Sequence, residues 1–133
     1  MKIHTNGENQ PHDFSTPTEI FCPVHLTVGV FAGKWKLHIL WHLRTGIKRF
    51  GELSRAIPAI TQSMLSIQLK ELEEDGIIIR TLYPEVPPRV EYSFSAMGKS
   101  LIPLIIAMEK WGIEYGQKSK GQKPGECRWG EKI

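Results

Sequence analysis

The chain has 133 residues, of which 41% are hydrophobic and 23% are charged, with a formal net charge of +3. This length allows one domain with a hydrophobic core and is too short for two ordinary domains. No apolar run approaches the roughly 20 residues of a membrane span, and residues 1–19 lack the apolar core of a signal peptide, so we expect a cytoplasmic protein without membrane contact.

The two cysteines, Cys22 and Cys127, could form one bridge but not a disulfide framework. Residues 1–19 are polar and contain two prolines, which predicts a flexible N-terminal arm. Residues 118–133 are rich in lysine and glycine, with five basic against two acidic residues from 116 onward, which predicts a flexible basic tail. The predicted folded domain is therefore 20–117.

Two helices are predicted first. Helix one should span residues 23–32, because Pro23 suits a first helical turn and Gly33 suits the end of a helix. Its predicted buried stripe is Val24, Val28 and Phe31. Helix two should span 34–44, and it is apolar around most of its circumference, which is typical of an interior helix.

A helix-turn-helix is predicted next. Helix three should span 50–56 and end before Pro58. Helix four should begin after Thr61, whose hydroxyl can cap a free backbone N–H, and run to Asp75 before a break at Gly76. The pattern places two short helices on either side of a tight turn.

The outward side of helix four carries the candidate DNA contacts. Its predicted buried edge is Leu65, Leu69 and Leu72. At about 100° per residue, the opposite side presents Gln62, Ser63, Ser66, Ile67 and Lys70. Glutamine and serine can bond base edges, isoleucine can touch a thymine methyl, and lysine can hold a phosphate. The alternative is a short polar surface helix without a partner.

A two-stranded ribbon is predicted after helix four. Residues 77–83 are apolar and β-branched, residues 84–88 contain three prolines and must form the tip, and residues 89–94 alternate strictly. A ribbon beside a helix-turn-helix makes a winged helix-turn-helix, a mainly α fold with a small β-ribbon (α+β). Sequence-specific binding to double-stranded DNA is the leading functional prediction.

Further cations lie where they could meet the DNA backbone. Lys48 and Arg49 precede helix three, and Arg55 lies on its outer side. Tyr83 and Arg89 bracket the ribbon tip, so Arg89 could enter the minor groove or hold the backbone. Together with Thr61 they complete the predicted DNA-binding set, and the alternative for each cation is ordinary solvation.

The last helix is predicted from Ser95 to about residue 115, with a bend at Pro103. Its apolar residues form two stripes, one of which can cover its own domain while the other needs a partner. The predicted dimer interface comprises Leu101, Leu104, Ile105, Met108, Trp111 and Tyr115. The alternative, a fully buried helix in a monomer, is hard to achieve in so small a domain.

Catalysis is not expected. His38 and His42 have the i, i+4 spacing of metal ligands but lack a third ligand nearby in sequence. The chain has no phosphate-binding glycine loop and no sequence pattern around its serines that is typical of a nucleophile. We predict no enzyme, no metal and no cofactor.

Several motifs together resemble one family. They are Cys22-Pro23, Gly33-Lys34-Trp35, Arg49-Phe50-Gly51-Glu52-Leu53, Met64-Leu65, the stretch 69–76, the stretch 83–92, which is the most specific, and Trp111-Gly112. With these motifs, residues 22–115 resemble the HxlR-type family of bacterial winged helix-turn-helix transcriptional regulators. The resemblance implies a homodimer on a palindromic operator, acting as a repressor or sometimes an activator, with the first and last helices at the dimer interface.

Cys22 is the candidate sensor. It directly precedes helix one, where the positive end of the helix dipole favours a thiolate. The resemblance implies that some members use a cysteine at this place to sense electrophiles or oxidants; the alternative is a half-buried structural thiol. The predicted function is a homodimeric regulator, with a redox- or ligand-responsive protein-interaction module as the alternative and the effector unidentified.

Overall fold

The computed structural model describes residues 20–125. Six helices and three strands follow one another in this range. They are α1 (Pro23–Val30), α2 (Lys36–Leu43), β1 (Lys48–Arg49), α3 (Phe50–Ala56), α4 (Gln62–Glu74), β2 (Ile78–Tyr83), β3 (Arg89–Phe94), α5 (Ala96–Lys99) and α6 (Ile102–Lys120). The predicted arm 1–19 and the residues after 125 lie outside the described part.

The predicted helix-turn-helix is confirmed. The backbone N–H of Arg49 donates to Glu52 Oε1 at 3.0 Å and opens α3. Thr61 caps α4 as predicted, since its Oγ1 accepts the N–H of Met64 at 3.1 Å. Both starts depend on side chains within three residues, which is why they could be predicted from local sequence.

The sheet has three antiparallel strands in the order β1-β3-β2, so the predicted two-stranded ribbon was incomplete. In the ribbon itself Tyr83 lies opposite Arg89. The additional strand β1 places Arg49 opposite Glu91 of β3. A two-residue strand has too little alternation to be recognised in sequence. Its consequence is that the start of α3 is hydrogen-bonded to the wing.

The core lies between α2, α3, α4 and the sheet. The predicted inward edge of α4 is confirmed, because Leu65, Leu69 and Leu72 are all buried. The other fully buried large side chains are Ile39, Leu40, Leu43, Leu53, Ile57 and Ile105. Each of the helices α2, α3 and α4 thus buries one face in the core, and this determines which face it turns away from the core.

The single final helix predicted from Ser95 is wrong, because the chain forms α5 and α6 with a break at residues 100–101. The Ser95 hydroxyl donates to the Gly76 carbonyl oxygen at 2.6 Å and accepts the Gly98 N–H at 3.0 Å, which holds α5 against the turn after α4. Pro103 lies in the first turn of α6, where its missing N–H is tolerated, so it does not bend the helix interior.

The last helix is also longer than predicted. It continues to Lys120 and ends at Gly121, so residues 118–120, predicted as tail, are helical. Gly121 takes a left-handed conformation, and the N–H of Gln122 donates to the Gly116 carbonyl at 3.0 Å. None of the helices within 20–125 combines the length and apolarity that crossing a membrane would require.

Two predictions about helix faces need correction. Ile105, predicted at the dimer interface, is 2% exposed and belongs to the chain's own core, and Leu101 packs against that core. Val24 and Val28, predicted to be buried in α1, are exposed, at 72% for Val24. The reason is that α1 approaches the core only through Val30 and the following Phe31. The outer faces of α1 and α6 are therefore apolar and uncovered in one chain.

Candidate nucleic-acid interface

The outward face of α4 is exposed as predicted. The side chains of Gln62, Ser63, Ser66, Ile67 and Lys70 are solvent-exposed, and of these Gln62, three residues before Leu65, lies toward the leucine side at the start of the helix. Ile67 is 50% exposed, so its methyl groups are accessible to a partner. Thr61 is exposed as well, but its hydroxyl is engaged in capping α4. It is the least available of the predicted contacts on this helix.

Three further predicted cations lie in β1 and α3. Arg49 and Arg55 are exposed, and half-buried Lys48 donates from Nζ to Thr45 Oγ1 at 3.2 Å. Arg49 also lines an open cleft of about 430 Å³ together with the wing-tip residues 85–90. The structure thus brings Arg49 and Arg89, separated by 40 positions in sequence, to the same cleft.

Arg89 is held by three neighbours in the wing. Its guanidinium carbon lies 4.1 Å from the centre of the Tyr83 ring. Its Nη2 lies 3.3 Å from Glu85 Oε1, and its Nε lies 3.6 Å from Glu91 Oε2. These partly exposed ion pairs are weak, about 1 kcal/mol or less each, so they orient the arginine without making it unavailable to a phosphate.

One structural feature of the interface could not be seen in the sequence. Lys36, in the first turn of α2, is buried, and its Nζ lies 2.8 Å from Glu71 Oε1 on α4. Glu71, near the C-terminal end of α4, turns toward α2. A lysine within an apolar helix gives no sign of its partner, because the partner is 35 residues away.

Cys22 is exposed and occupies the N-cap position of α1. Its carbonyl oxygen accepts the N–H of Leu26 at 3.0 Å, which is the first hydrogen bond of the helix. The thiol is accessible in the single chain. Cys127 lies outside the described residues.

In α2, His38 is buried and His42 is partly buried. Burial, followed by the nearby charges of His42 and Lys34, lowers the pKa of His38 from 6.5 to about 4. Burial, followed by Arg44 and Lys48, also lowers the pKa of His42. Among residues 20–125 no three His, Cys, Asp or Glu side chains cluster in a way that could hold a metal ion.

A separate apolar surface covers α1 and α6. Trp111 and Tyr115 stack with ring centres 4.9 Å apart and planes 10° from parallel, and Trp111 is 66% exposed. The α1–α6 apolar surface comprises Ile20, Phe21, Val24 and Val28 with Leu104, Ile106, Met108, Trp111, Ile113 and Tyr115. Of the predicted dimer contacts it retains Leu104, Met108, Trp111 and Tyr115.

Comparisons with known proteins agree with this architecture. The HTH-type transcriptional regulator YdeP of Bacillus subtilis (strain 168), itself uncharacterised, is 48% identical over 103 residues, covering 77% of this chain and 80% of YdeP. The structure of the redox regulator HypR in its reduced form superposes with a TM-score of 0.70 at 45% identity, covering 75% of this chain and 98% of that one.

A second solved structure, the reduced form of the transcriptional regulator YodB from B. subtilis, has a TM-score of 0.65 at 31% identity and covers 78% of this chain and 100% of that one. The HxlR-like helix-turn-helix family matches residues 30–120, which include both helices of the motif, the wing and α6. These relatives are DNA-binding regulators and not enzymes. The chain therefore belongs to the HxlR-like helix-turn-helix family of transcriptional regulators.

Proposed function

We propose that this protein is a homodimeric, sequence-specific repressor that binds a palindromic operator through α4. The observation that carries the proposal is the exposed face of α4, whose other side is buried through three leucines, and Arg49 and Arg89 line one cleft at the wing. A helix of this kind enters the major groove, and the wing reaches the adjacent backbone or minor groove.

The side chains divide by the chemistry they offer. Gln62, Ser63 and Ser66 provide hydrogen-bonding groups for base edges, and Ile67 offers methyl groups to a thymine. The cations, which supply contacts to phosphates or the minor groove, are Lys48, Arg49, Arg55, Lys70 and Arg89. Phosphate contacts set the register of the protein on DNA, whereas the α4 contacts select the sequence.

The α1–α6 apolar surface supports the homodimer. Exposed large apolar side chains concentrated on two helices are typical of an interaction site in a globular protein. A two-fold dimer would place two copies of α4 in successive major grooves, about 34–36 Å apart. A palindromic operator with half-sites one helical turn apart follows from that symmetry.

Selection of bound duplexes from a random pool tests the proposal directly. We expect an inverted repeat with half-site centres about 10 base pairs apart. In a gel shift, affinity for any duplex should fall steeply as salt rises, because bound phosphates release counterions. Failure to shift DNA at low salt would instead favour the protein-interaction module.

We also propose that Cys22 makes the regulator responsive to thiol-reactive or oxidative signals. The exposed thiol at the start of α1 adjoins the α1–α6 apolar surface, and HypR is a redox regulator. Operator affinity should change after treatment with a mild oxidant and recover with a thiol reductant, and the Cys22→Ser variant should not respond. Equal responses of both proteins would exclude Cys22 as the sensor.

A further inference from the structure

A buried ion pair connects α2 to the recognition helix. Lys36 is 3% exposed, and its Nζ lies 2.8 Å from Glu71 Oε1. The Glu71 side chain keeps 31% of its surface exposed, so the pair lies at the margin of the core rather than in its centre. A buried ammonium without a counter-charge is strongly unfavourable, so Lys36 requires an acceptor at this place.

The contacts that the buried leucines of α4 make with the core are apolar and have no preferred direction. Leu65, Leu69 and Leu72 determine which side of the helix faces inward, but apolar contacts tolerate small rotations and shifts along the helix axis. A charge-assisted hydrogen bond has a defined length and direction. Glu71 lies one turn from Ile67 and two turns from Ser63, so a tie at Glu71 restricts the rotation of the whole outward face.

We propose that Lys36 is a positioning residue for DNA recognition: through Glu71 it fixes the rotation and axial position of α4 that present Gln62, Ser63 and Ser66 to the bases. This inference rests on the proposed function, because it assumes that α4 reads the operator. Recognition contacts must be held within about 0.5 Å of their productive geometry, so a small loss of restraint weakens base reading. Contacts to phosphates tolerate such a displacement better.

The Lys36→Met variant separates these effects. Methionine is unbranched and apolar and can occupy the space of the lysine stem, while Glu71, being partly exposed, remains solvated. We expect an unchanged or higher melting temperature, an affinity for the selected operator that falls about tenfold, as for one lost base contact, and an unchanged affinity for random duplex at low salt. The ratio of operator to random-duplex affinity is the diagnostic quantity.

Lys70→Met is the matched control. It removes the same charge from the exposed face of α4, so it should weaken operator and random duplex equally and lower the salt dependence of both. Its affinity ratio should stay that of the original protein. Comparable ratios in Lys36→Met and Lys70→Met would overturn the inference.

The Glu71→Ala variant and the double variant complete the test. If the two residues act as one tie, each single variant and the double variant should lower the affinity ratio by the same factor. Multiplying losses in the double variant would overturn the inference. If circular dichroism shows that a single variant does not fold, the double variant, which leaves neither charge without its partner, decides it, and an unchanged affinity ratio in the double variant would overturn the inference. A protein with Lys36 and Glu71 intact that does not distinguish operator from random duplex would instead refute the proposed function.

Discussion

The guanidinium of Arg89 lies over the ring of Tyr83 at 4.1 Å, and the two residues are direct partners across the β2–β3 ribbon. The face of an aromatic ring attracts a cation and offers it a flat support. Tyr83 was predicted to contact DNA itself. Its ring supports the arginine, and a direct contact of Tyr83 with DNA stays a prediction.

Replacing Arg89 with alanine should weaken binding to every duplex. One lost phosphate contact lowers the slope of log affinity against log salt by about 0.9. Arg80→Ala is the control, because Arg80 is an exposed cation on the neighbouring strand β2, on the opposite face of the ribbon. A salt titration in which the Arg89 and Arg80 variants keep the same slope would remove Arg89 from the DNA contacts.

Replacing Glu85 with glutamine should strengthen DNA binding. Glu85 Oε1 lies 3.3 Å from Arg89 Nη2, and this half-exposed carboxylate would repel a phosphate that approaches the arginine. We expect roughly threefold tighter binding at low salt and a smaller gain at high salt, because charge effects at exposed sites are modest and screened. The gain should shrink when Arg89 is alanine. Weaker binding by Glu85→Gln would show instead that the carboxylate holds Arg89 in its productive position.

Replacing Gly98 with alanine should destabilise the fold strongly. An added Cβ would overlap the backbone carbonyl oxygen of Ile77 and lie 2.7 Å from Cδ1 of Phe94. We expect a loss of about 3 kcal/mol or more in the free energy of unfolding, since backbone cannot move aside as a flexible side chain can. Gly112→Ala in α6 is the control, because its Cβ would meet no neighbour in the chain and alanine favours a helix by about 1 kcal/mol. Denaturant titration of both variants measures the difference.

Replacing Trp111 with glutamate should dissociate the proposed dimer. Trp111 stacks on Tyr115 within the α1–α6 apolar surface, and a carboxylate buried there would lack a counter-charge. Sedimentation equilibrium should show a folded monomer that has lost affinity for the full palindrome. Lys110→Glu, a neighbouring exposed position outside the α1–α6 apolar surface, is the control for the added negative charge. A dimeric Trp111→Glu variant would place the interface elsewhere.

The elements that depend on local chemistry were predictable from the sequence. The bounds of α3 and β3 match the prediction, because a proline ends the pattern of one and strict alternation marks the other. The buried edge of α4 follows from the spacing of three leucines. These signals operate over a few residues, so a single sequence contains them in full.

The elements that depend on distant contacts were not predictable. The break between α5 and α6 follows from Ser95 and Gly98 meeting the backbone at residues 76–77, nearly twenty positions earlier. That break places Ile105 in the core and turns Trp111 outward. The two apolar stripes predicted on the last helix do not indicate which of them packs against the chain's own domain. The candidate site shows the same division: the outward face of α4 was predicted, whereas the tie between Lys36 and Glu71 was not.

Stability should fall in mild acid because of His38. Burial lowers its pKa in the folded state to about 4, whereas the unfolded chain has a pKa near 6.5. Between these values the unfolded state binds more protons, so the free energy of unfolding decreases as pH falls through this window and does not change on this account above it. Each pKa unit corresponds to about 1.4 kcal/mol, so the loss is at most about 3 kcal/mol.

The His38→Gln variant isolates this contribution. The pKa of His42 is lowered in the same direction, so some loss of stability in acid should persist in the variant. Denaturant unfolding at pH 7.5, 6 and 5, at one protein concentration because dimerisation adds to stability, should show a flatter pH dependence for His38→Gln than for the unaltered protein. Parallel curves would mean that His38 has the same pKa folded and unfolded, and the loss in acid would then have to come from other groups.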